Sequence, residues 1–180
     1  MDNNVSPAKS ALLYGMLFGV IMILEFVIGY VLDIDPQTNK AYGISINVFN
    51  FLILPGLFIY IGCNNFKIKL NSGFISFGQC LKIGVTICIL AALIYSIFTS
   101  IFNVLFPEYF SHMFDKMRTI MAEKSPQLTS EQIDMAISFS KKFLNPAIAI
   151  PTTVVMYAFL GLIFSLIIGA IVKKDPNQSF

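Results

Sequence analysis

One carboxylate and a set of amides and hydroxyls interrupt otherwise apolar stretches of this sequence. Glu25 stands within the run from Ala11 to Leu32, and a charged side chain inside a membrane costs at least about 2.5 kcal/mol. The side chains predicted to share its depth are Asn47, Asn50, Thr99, Ser100, Asn103, Thr152 and Thr153. Such a polar layer can relay protons or cations, line a small cavity, or only fix the register of the helices through hydrogen bonds.

Helix geometry sets the depth of these groups. At a rise of about 1.5 Å per residue, Glu25 lies about 10 Å below the membrane boundary near Leu32. Asn47 and Asn50 are counted from the start of the second apolar run and lie about 5 and 9 Å below the same boundary. We therefore expect Glu25 to face the bundle interior and to accept a hydrogen bond from one of these amides. A further interpretation of Glu25 is that it contacts a membrane span of a partner protein.

A second polar stretch, NSGFISFGQCLKIG, lies between two apolar runs at residues 71–84. Its glycines lack the spacing of a phosphate-binding loop, because no GxxxxGK is followed by serine or threonine. Residues 71–73 instead predict a chain reversal, and Ser76 is suited to cap the helix that follows. The motif that we expect at the cytoplasmic start of the third span comprises Gly73, Gly78, Gln79 and Lys82.

Small side chains in and beside the spans predict packing rather than chemistry. Gly78, Cys80 and Gly84 have spacings that let a neighbouring helix approach closely. Cys80 and the other two cysteines, Cys63 and Cys88, form no CxxC pair. We interpret them as reduced thiols among apolar side chains, with neither a disulfide nor a zinc site.

The composition is that of a membrane protein. The chain has 180 residues, of which 56% are hydrophobic and 12% charged, and its mean hydropathy is +0.76. Soluble domains are usually about 25% charged, and a membrane-spanning helix needs about 20 apolar residues. The sequence therefore predicts an all-α membrane protein of one domain, residues 1–180, with four spans and an amphipathic helical connector. The predicted spans are about 11–32, 44–63, 77–106 and 147–172, and the connector is 107–146.

Basic residues in the short loops predict the orientation. Lys67 and Lys69 lie between the second and third spans, Lys173 and Lys174 follow the last span, and segment 33–43 is acidic. Because positively charged loops tend to stay in the cytoplasm, we expect a multi-pass membrane protein with both termini cytoplasmic. Five basic residues in the connector count against this orientation.

The connector predicts two helices. Apolar residues recur at helical spacing from Tyr109 to Met121, and SPQ at 125–127 ends that helix. Thr129 with Gln132 then predicts a capping box for a second helix. These helices can lie in the plane of the lipid headgroups or fold over the mouth of the bundle as a cap.

The methionines of the connector offer thioethers beside the only histidine. Met113, Met117 and Met121 share a helix face next to His112, and thioethers suit Cu(I). One histidine gives no ligand pair, however, and methionine is a common filler of apolar faces. We therefore predict no metal and no cofactor.

Enzyme and nucleic-acid functions find no support in the sequence. No HExxH and no nucleophile motif occurs, so we expect no enzyme activity. A net charge of +2 makes no basic groove, which argues against nucleic-acid binding.

Three segments carry a resemblance to a known family. They are GFISFGQCLKIGV, TSEQIDMAISFSKKFLNP and GLIFSLIIGAIVKKDP. In this order they resemble the bacterial domain-of-unknown-function family 4199, over nearly the whole chain from about Tyr14 to Lys174. The resemblance implies four spans in a bacterial inner membrane. It implies no activity, substrate or site residue.

Two functions remain open. The one that the sequence ranks first is an accessory or interaction protein, whose partners are the lipid bilayer and either another membrane protein or a second copy of the chain. The alternative is a small proton- or cation-coupled transporter that uses Glu25 as a buried carboxylate. Pro55 and Gly56 interrupt the second span, and transporters do use broken helices near the midplane, which raises the alternative slightly.

Overall fold

The computed structural model describes residues 6–174, so both ends of the predicted 1–180 domain lie outside the described residues. Four helices are long and apolar enough to cross a membrane: α1 (Pro7–Val31), α2 (Lys40–Leu70), α3 (Phe77–Leu105) and α6 (Pro146–Val172). The connector forms two further helices, α4 (Pro107–Lys124) and α5 (Ser130–Lys142). The predicted fold class, four spans with a helical connector, is confirmed. The chain is a multi-pass membrane protein.

Capping residues predict two helix starts, and both are confirmed. Ser76 Oγ accepts a hydrogen bond from the Gln79 backbone N–H at 3.3 Å, and the Gln79 side chain accepts one from the Ser76 N–H at 2.8 Å. Thr129 and Gln132 form the same reciprocal pair at the start of α5, at 3.2 and 2.9 Å. Each pair satisfies two backbone donors that a helix start otherwise leaves free. The caps therefore fix where α3 and α5 begin.

The central helix of the bundle is α3. It packs most extensively against α6 and α1, and it also contacts α2. Ile83, Ile87 and Cys88 of α3 are fully buried, together with Phe18 of α1 and Ile59 of α2. All three cysteines of the chain are buried free thiols. The outer faces of the four spans expose mainly large apolar side chains, as expected for helices surrounded by lipid.

The contact between α3 and α6 depends on small side chains. A β-carbon at Gly84 would overlap the hydroxyl oxygen of Ser165, and one at Gly161 would lie 2.9 Å from Cys88 Cβ. The predicted close approach is therefore confirmed at Gly84. It is wrong at Gly78, where a β-carbon would meet no atom within 4 Å. Gly78 is exposed in the first turn of α3, on a side where none of the residues 6–174 packs.

The second span, α2, departs from regular α-helical geometry. Residues Phe49–Ile53 and Phe66–Leu70 form π-helical turns. The first of these turns precedes Pro55, which has no N–H to donate and whose ring would collide with the carbonyl four residues earlier in a regular α-helix. The wider π-helical turn relieves that collision, and such turns are frequent at functional sites. The interruption predicted at Pro55 takes this form, and Asn50 lies within the turn.

The end of the bundle opposite the connector, which we call the base, is closed by backbone contacts. Gly73 makes the predicted chain reversal at φ +86°, a left-handed conformation that suits glycine. Ile75 and Lys174 exchange two backbone hydrogen bonds of 3.1 and 3.0 Å. Lys67 donates through Nζ to the Val172 carbonyl at 2.9 Å. The Ile75–Lys174 contact ties the start of α3 to the end of α6, and the Lys67 contact ties α2 to the same end.

Candidate functional site

The other end of the bundle, which we call the mouth, is where residues 32–39 and the connector lie. It contains a cavity of about 370 Å³, the mouth cavity, whose wall is formed by α1, the 32–39 segment, α2, α3 and α4. The lining is mostly apolar, and its polar residues are Glu25, Tyr42, Asn50, Tyr95, Thr99 and Tyr109. Among the described residues that line it there is no lysine, arginine or histidine. Glu25 is thus the one charged group in this described wall.

Glu25 and Asn50 form a hydrogen-bonded pair in the mouth cavity. Asn50 donates through Nδ2 to Glu25 Oε2 at 2.6 Å and to the Ile46 carbonyl at 3.2 Å. Both acceptors are oxygens, so the nitrogen of the amide must face them, and the orientation of the amide follows from the network. Asn50 Oδ1 is left buried with no hydrogen-bond partner in residues 6–174. The pair therefore keeps an unused acceptor on the amide.

Two local features let α1 and α2 meet at this depth. The π-helical turn Phe49–Ile53 carries Asn50, which is 8% exposed. Gly29 lies one helical turn beyond Glu25 on α1, and a β-carbon there would overlap the Tyr42 hydroxyl. Glycine at this position therefore gives Tyr42 its place in the cavity wall.

The first connector helix, α4, forms the outer wall of the mouth cavity. The Tyr109 ring packs edge-on against Phe26, Tyr30 and Phe102, with ring centroids 5.8, 5.4 and 5.6 Å apart. Tyr109 and Phe110 both line the cavity. Edge-on aromatic pairs of this kind each contribute about 0.5–1.5 kcal/mol beyond burial. Of the two placements that the sequence leaves open for the connector, α4 adopts the cap.

A second depression of about 320 Å³, the vestibule, adjoins the mouth cavity and shares Gly29 and Tyr109 with it. Its titratable residues are Asp33, Asp35, Tyr109, His112 and Lys116. Lys116 Nζ lies 3.1 Å from Asp35 Oδ2, which ties α4 to the 32–39 segment. The Lys116 side chain is half exposed, so the ion pair contributes only about 0–1 kcal/mol. Burial, followed by the charge of Asp35, raises the pKa of Tyr109, so its phenol stays neutral at pH 7.

A family model described as a protein of unknown function (DUF4199) matches residues 13–174. The chain belongs to this family. The resemblance carried by the three sequence segments is thereby confirmed. No curated protein and no solved structure matches the chain. Because the description of DUF4199 assigns no activity, the function must be argued from the mouth cavity.

Three of the eight residues predicted for the polar layer meet in this DUF4199 chain. Glu25, Asn50 and Thr99 line the mouth cavity together. Asn47 does not join them, because it is exposed and donates to the Gly43 carbonyl of its own helix at 2.8 Å. The other predicted members that do not line the cavity are Ser100, Asn103, Thr152 and Thr153.

There is a physical reason why the polar layer has fewer members than predicted. Position along a helix fixes the depth of a side chain, but rotation about the helix axis decides whether it faces the interior. A hydroxyl or amide that faces elsewhere can still bond a carbonyl of its own helix, as Ser100 does with Ser96 at 2.7 Å. Equal depth was therefore too weak a criterion for this layer.

Sequence reasoning misses the three tyrosines of the mouth cavity. Tyr95 lies one helical turn before Thr99 on α3, and the i, i+4 spacing is a signal that places both on one face. Tyr109 has no such signal, because its place depends on α4 folding back over α1. Tyr42 likewise depends on the space left by Gly29.

The motif predicted at the start of the third span lies at the base of the DUF4199 chain, away from the mouth cavity. Gly73 makes the turn before α3, and Gln79 completes the helix cap. Gly78 and Lys82 are exposed. Within residues 6–174 the two ion pairs do not include Lys82. The motif thus has the structural role of starting a span.

The connector methionines pack with apolar side chains. Met113, Met117 and Met121 surround a small core shared by α4 and α5. His112 is exposed beside them. In the described part of the chain no three histidine, cysteine, aspartate or glutamate side chains lie close enough to hold a metal ion.

Proposed function

We propose that this chain is a small proton- or cation-coupled transporter in which Glu25 takes up the cation. One observation carries the proposal: Glu25 lines a cavity of about 370 Å³ inside an apolar bundle, with an amide donor at 2.6 Å and no cationic side chain in the described wall. Ionisable residues within membrane spans commonly mark ion or proton pathways. We assign no catalytic step to the cavity, because the group in hydrogen-bond contact with Glu25 is an amide.

The side of Glu25 toward the base is packed. Phe18 and Met22 of α1 are buried, and the Phe18 ring stacks on Phe58 of α2 with centroids 5.6 Å apart. A solute that reaches Glu25 from the mouth can continue only if α2 moves away from α1. Pro55 removes a backbone hydrogen bond from α2 near this depth, next to the π-helical turn. We propose that this stretch of α2 is the hinge.

We place the mouth in the periplasm of a bacterial cell and both ends of the chain in the cytoplasm. The basic residues near the base support this orientation, because positive charge favours the cytoplasmic side of an inner membrane. They are Lys67, Lys69, Lys173 and Lys174.

Transport can be tested with the purified chain in vesicles. A potassium diffusion potential drives cations inward, and trapped dyes report the proton and sodium concentrations inside. We expect the wild-type chain to carry one of these ions faster than empty vesicles do, and Glu25→Gln to lower the initial rate at least tenfold, because glutamine has no charge to bind a cation. Glu123→Gln is the matched control, since Glu123 is exposed on α4. An unchanged rate in Glu25→Gln would remove the proposal.

The accessory function that the sequence ranks first is favoured by a different observation. One face of α5 packs on Phe114 of α4, whereas its opposite face leaves Met135 63%, Phe139 61% and Phe143 41% exposed. We rank this function second, because an exposed apolar face at the end of a span is also what a lipid surface would cover.

Affinity capture from native membranes tests the accessory function. We expect a protein partner to be recovered with the wild-type chain and with Ser138→Ala, and to be lost with Phe139→Ser, because only the second change removes apolar area from the exposed face of α5. Mass spectrometry of the captured material gives the readout. Recovery of the same proteins with Phe139→Ser would rule out this face as the docking site.

A further inference from the structure

The mouth cavity has features that specify the chemistry of its ligand. Asn50 is more than nine-tenths buried, and its Oδ1 has no hydrogen-bond partner in the described chain. Beside it, the Glu25 carboxylate uses one oxygen for Asn50 and has no other hydrogen bond within residues 6–174. The second carboxylate oxygen of Glu25 can therefore accept a hydrogen bond from a ligand in the mouth cavity.

The remaining wall is aromatic. Phe26, Tyr42, Tyr95, Tyr109 and Phe110 line the cavity around the Glu25–Asn50 pair. Aromatic faces attract organic cations and also pack against apolar groups. A bare Ca²⁺ or Mg²⁺ ion would need several more oxygen ligands than this pair supplies.

The volume fits a small organic molecule. Small-molecule sites occupy roughly 300–1,000 Å³, and the mouth cavity, at about 370 Å³, is at the lower end of this range. A single water takes about 30 Å³, so the space exceeds what one hydrated proton requires.

The vestibule in front of the cavity has the charge that a cation would follow. Asp33 and Asp35 face Lys116 and His112 across it, and Lys116 is already paired with Asp35. Asp33 has no ion-pair partner among the described residues, so its negative charge is not neutralised at the approach to Glu25. The vestibule thus sets two carboxylates against one lysine, which favours entry of a cation over entry of an anion.

We infer that the mouth cavity binds a small organic ammonium ion, whose N–H donors meet the Glu25 carboxylate, held in place by Asn50, and whose apolar body lies against the aromatic wall. The inference rests on the proposed transport function and names its substrate class. The ligand enters through the vestibule between the 32–39 segment and α4, where the weak Asp35–Lys116 pair is the tie that must open.

Isothermal titration calorimetry on the full chain in detergent tests the inference with benzylammonium as the probe and benzyl alcohol as its uncharged analogue. We expect benzylammonium to bind the wild-type chain at least tenfold more tightly than benzyl alcohol. Asn50→Leu and Glu25→Gln should each weaken benzylammonium at least tenfold, whereas Asn47→Leu should not, because Asn47 bonds its own helix outside the cavity. The comparison of the two ligands uses the wild-type chain alone, so it tests the preference for an ammonium ion even where a variant does not fold.

Equal binding of the two ligands, or benzylammonium binding that survives in a folded Glu25→Gln variant, would overturn the inference. Other outcomes test the transport proposal independently of the ligand class. If Glu25→Gln abolishes proton or sodium flux while benzylammonium does not bind, transport stands and the ammonium class is wrong. If benzylammonium binds through Glu25 but no flux depends on Glu25, the ligand class stands and the chain is a binding protein rather than a carrier.

Discussion

Gly84→Leu is expected to lower the free energy of unfolding by about 3 kcal/mol, because the contact between α3 and α6 has no room for a side chain at this position. The space that a side chain would need at Gly84 is taken by the Ser165 hydroxyl of α6, and Ile59 Cγ2 lies 3.0 Å from the same point. Neither neighbour can withdraw, because Ser165 and Ile59 are both fully buried. Titration with sodium dodecyl sulfate in mixed micelles, followed by circular dichroism, measures the change.

Gly78→Leu is the matched control for this prediction. It makes the same substitution on the same helix, where a β-carbon would meet no atom within 4 Å. Its free energy of unfolding should stay within about 0.5 kcal/mol of the wild type. Equal losses in the two variants would show that glycine acts through backbone flexibility in α3 and that the contact with α6 is not the cause.

The four spans are predictable from sequence because hydrocarbon demands long apolar runs whatever their neighbours are. The predicted span 77–106 differs by one residue from α3 (Phe77–Leu105), since Ser76 and Pro107 mark its two ends. The second span was predicted as 44–63 and is Lys40–Leu70. It continues beyond the apolar run because Lys67 reaches the Val172 carbonyl of α6 instead of ending the helix.

Depth predicts that Glu25 meets an amide of α2, but it predicts neither which amide nor the cavity around the pair. Depth cannot tell Asn47 from Asn50, because the choice depends on how α2 is rotated at its π-helical turn. The outer wall depends on Phe106, a single residue at φ −131° and ψ 60° between α3 and α4. That break turns α4 back over α1, and local periodicity carries no signature of such a long-range contact.

Asn50→Leu is expected to lower the free energy of unfolding by about 2 kcal/mol. Leucine has a similar size but cannot donate a hydrogen bond, so Glu25 loses the donor that lies 2.6 Å from its carboxylate. Removing one partner of a polar pair in an apolar setting leaves the other partner's desolvation uncompensated. The same detergent titration measures the change. Asn47→Leu, one helical turn earlier and exposed, should change stability by less than about 0.5 kcal/mol.

The double variant Glu25→Leu with Asn50→Leu distinguishes a structural role of this pair from a role in binding. When both polar groups are replaced by apolar ones, no unpaired group remains, and stability should return to the wild-type value or exceed it, with a coupling free energy of about 2–3 kcal/mol. Such a result means that the pair does not hold the fold together. A chain that is as stable without the carboxylate as with it does not need Glu25 for folding, which leaves binding as the role of the carboxylate. Additive losses in the double variant would instead assign the pair to helix register and weaken the case for transport.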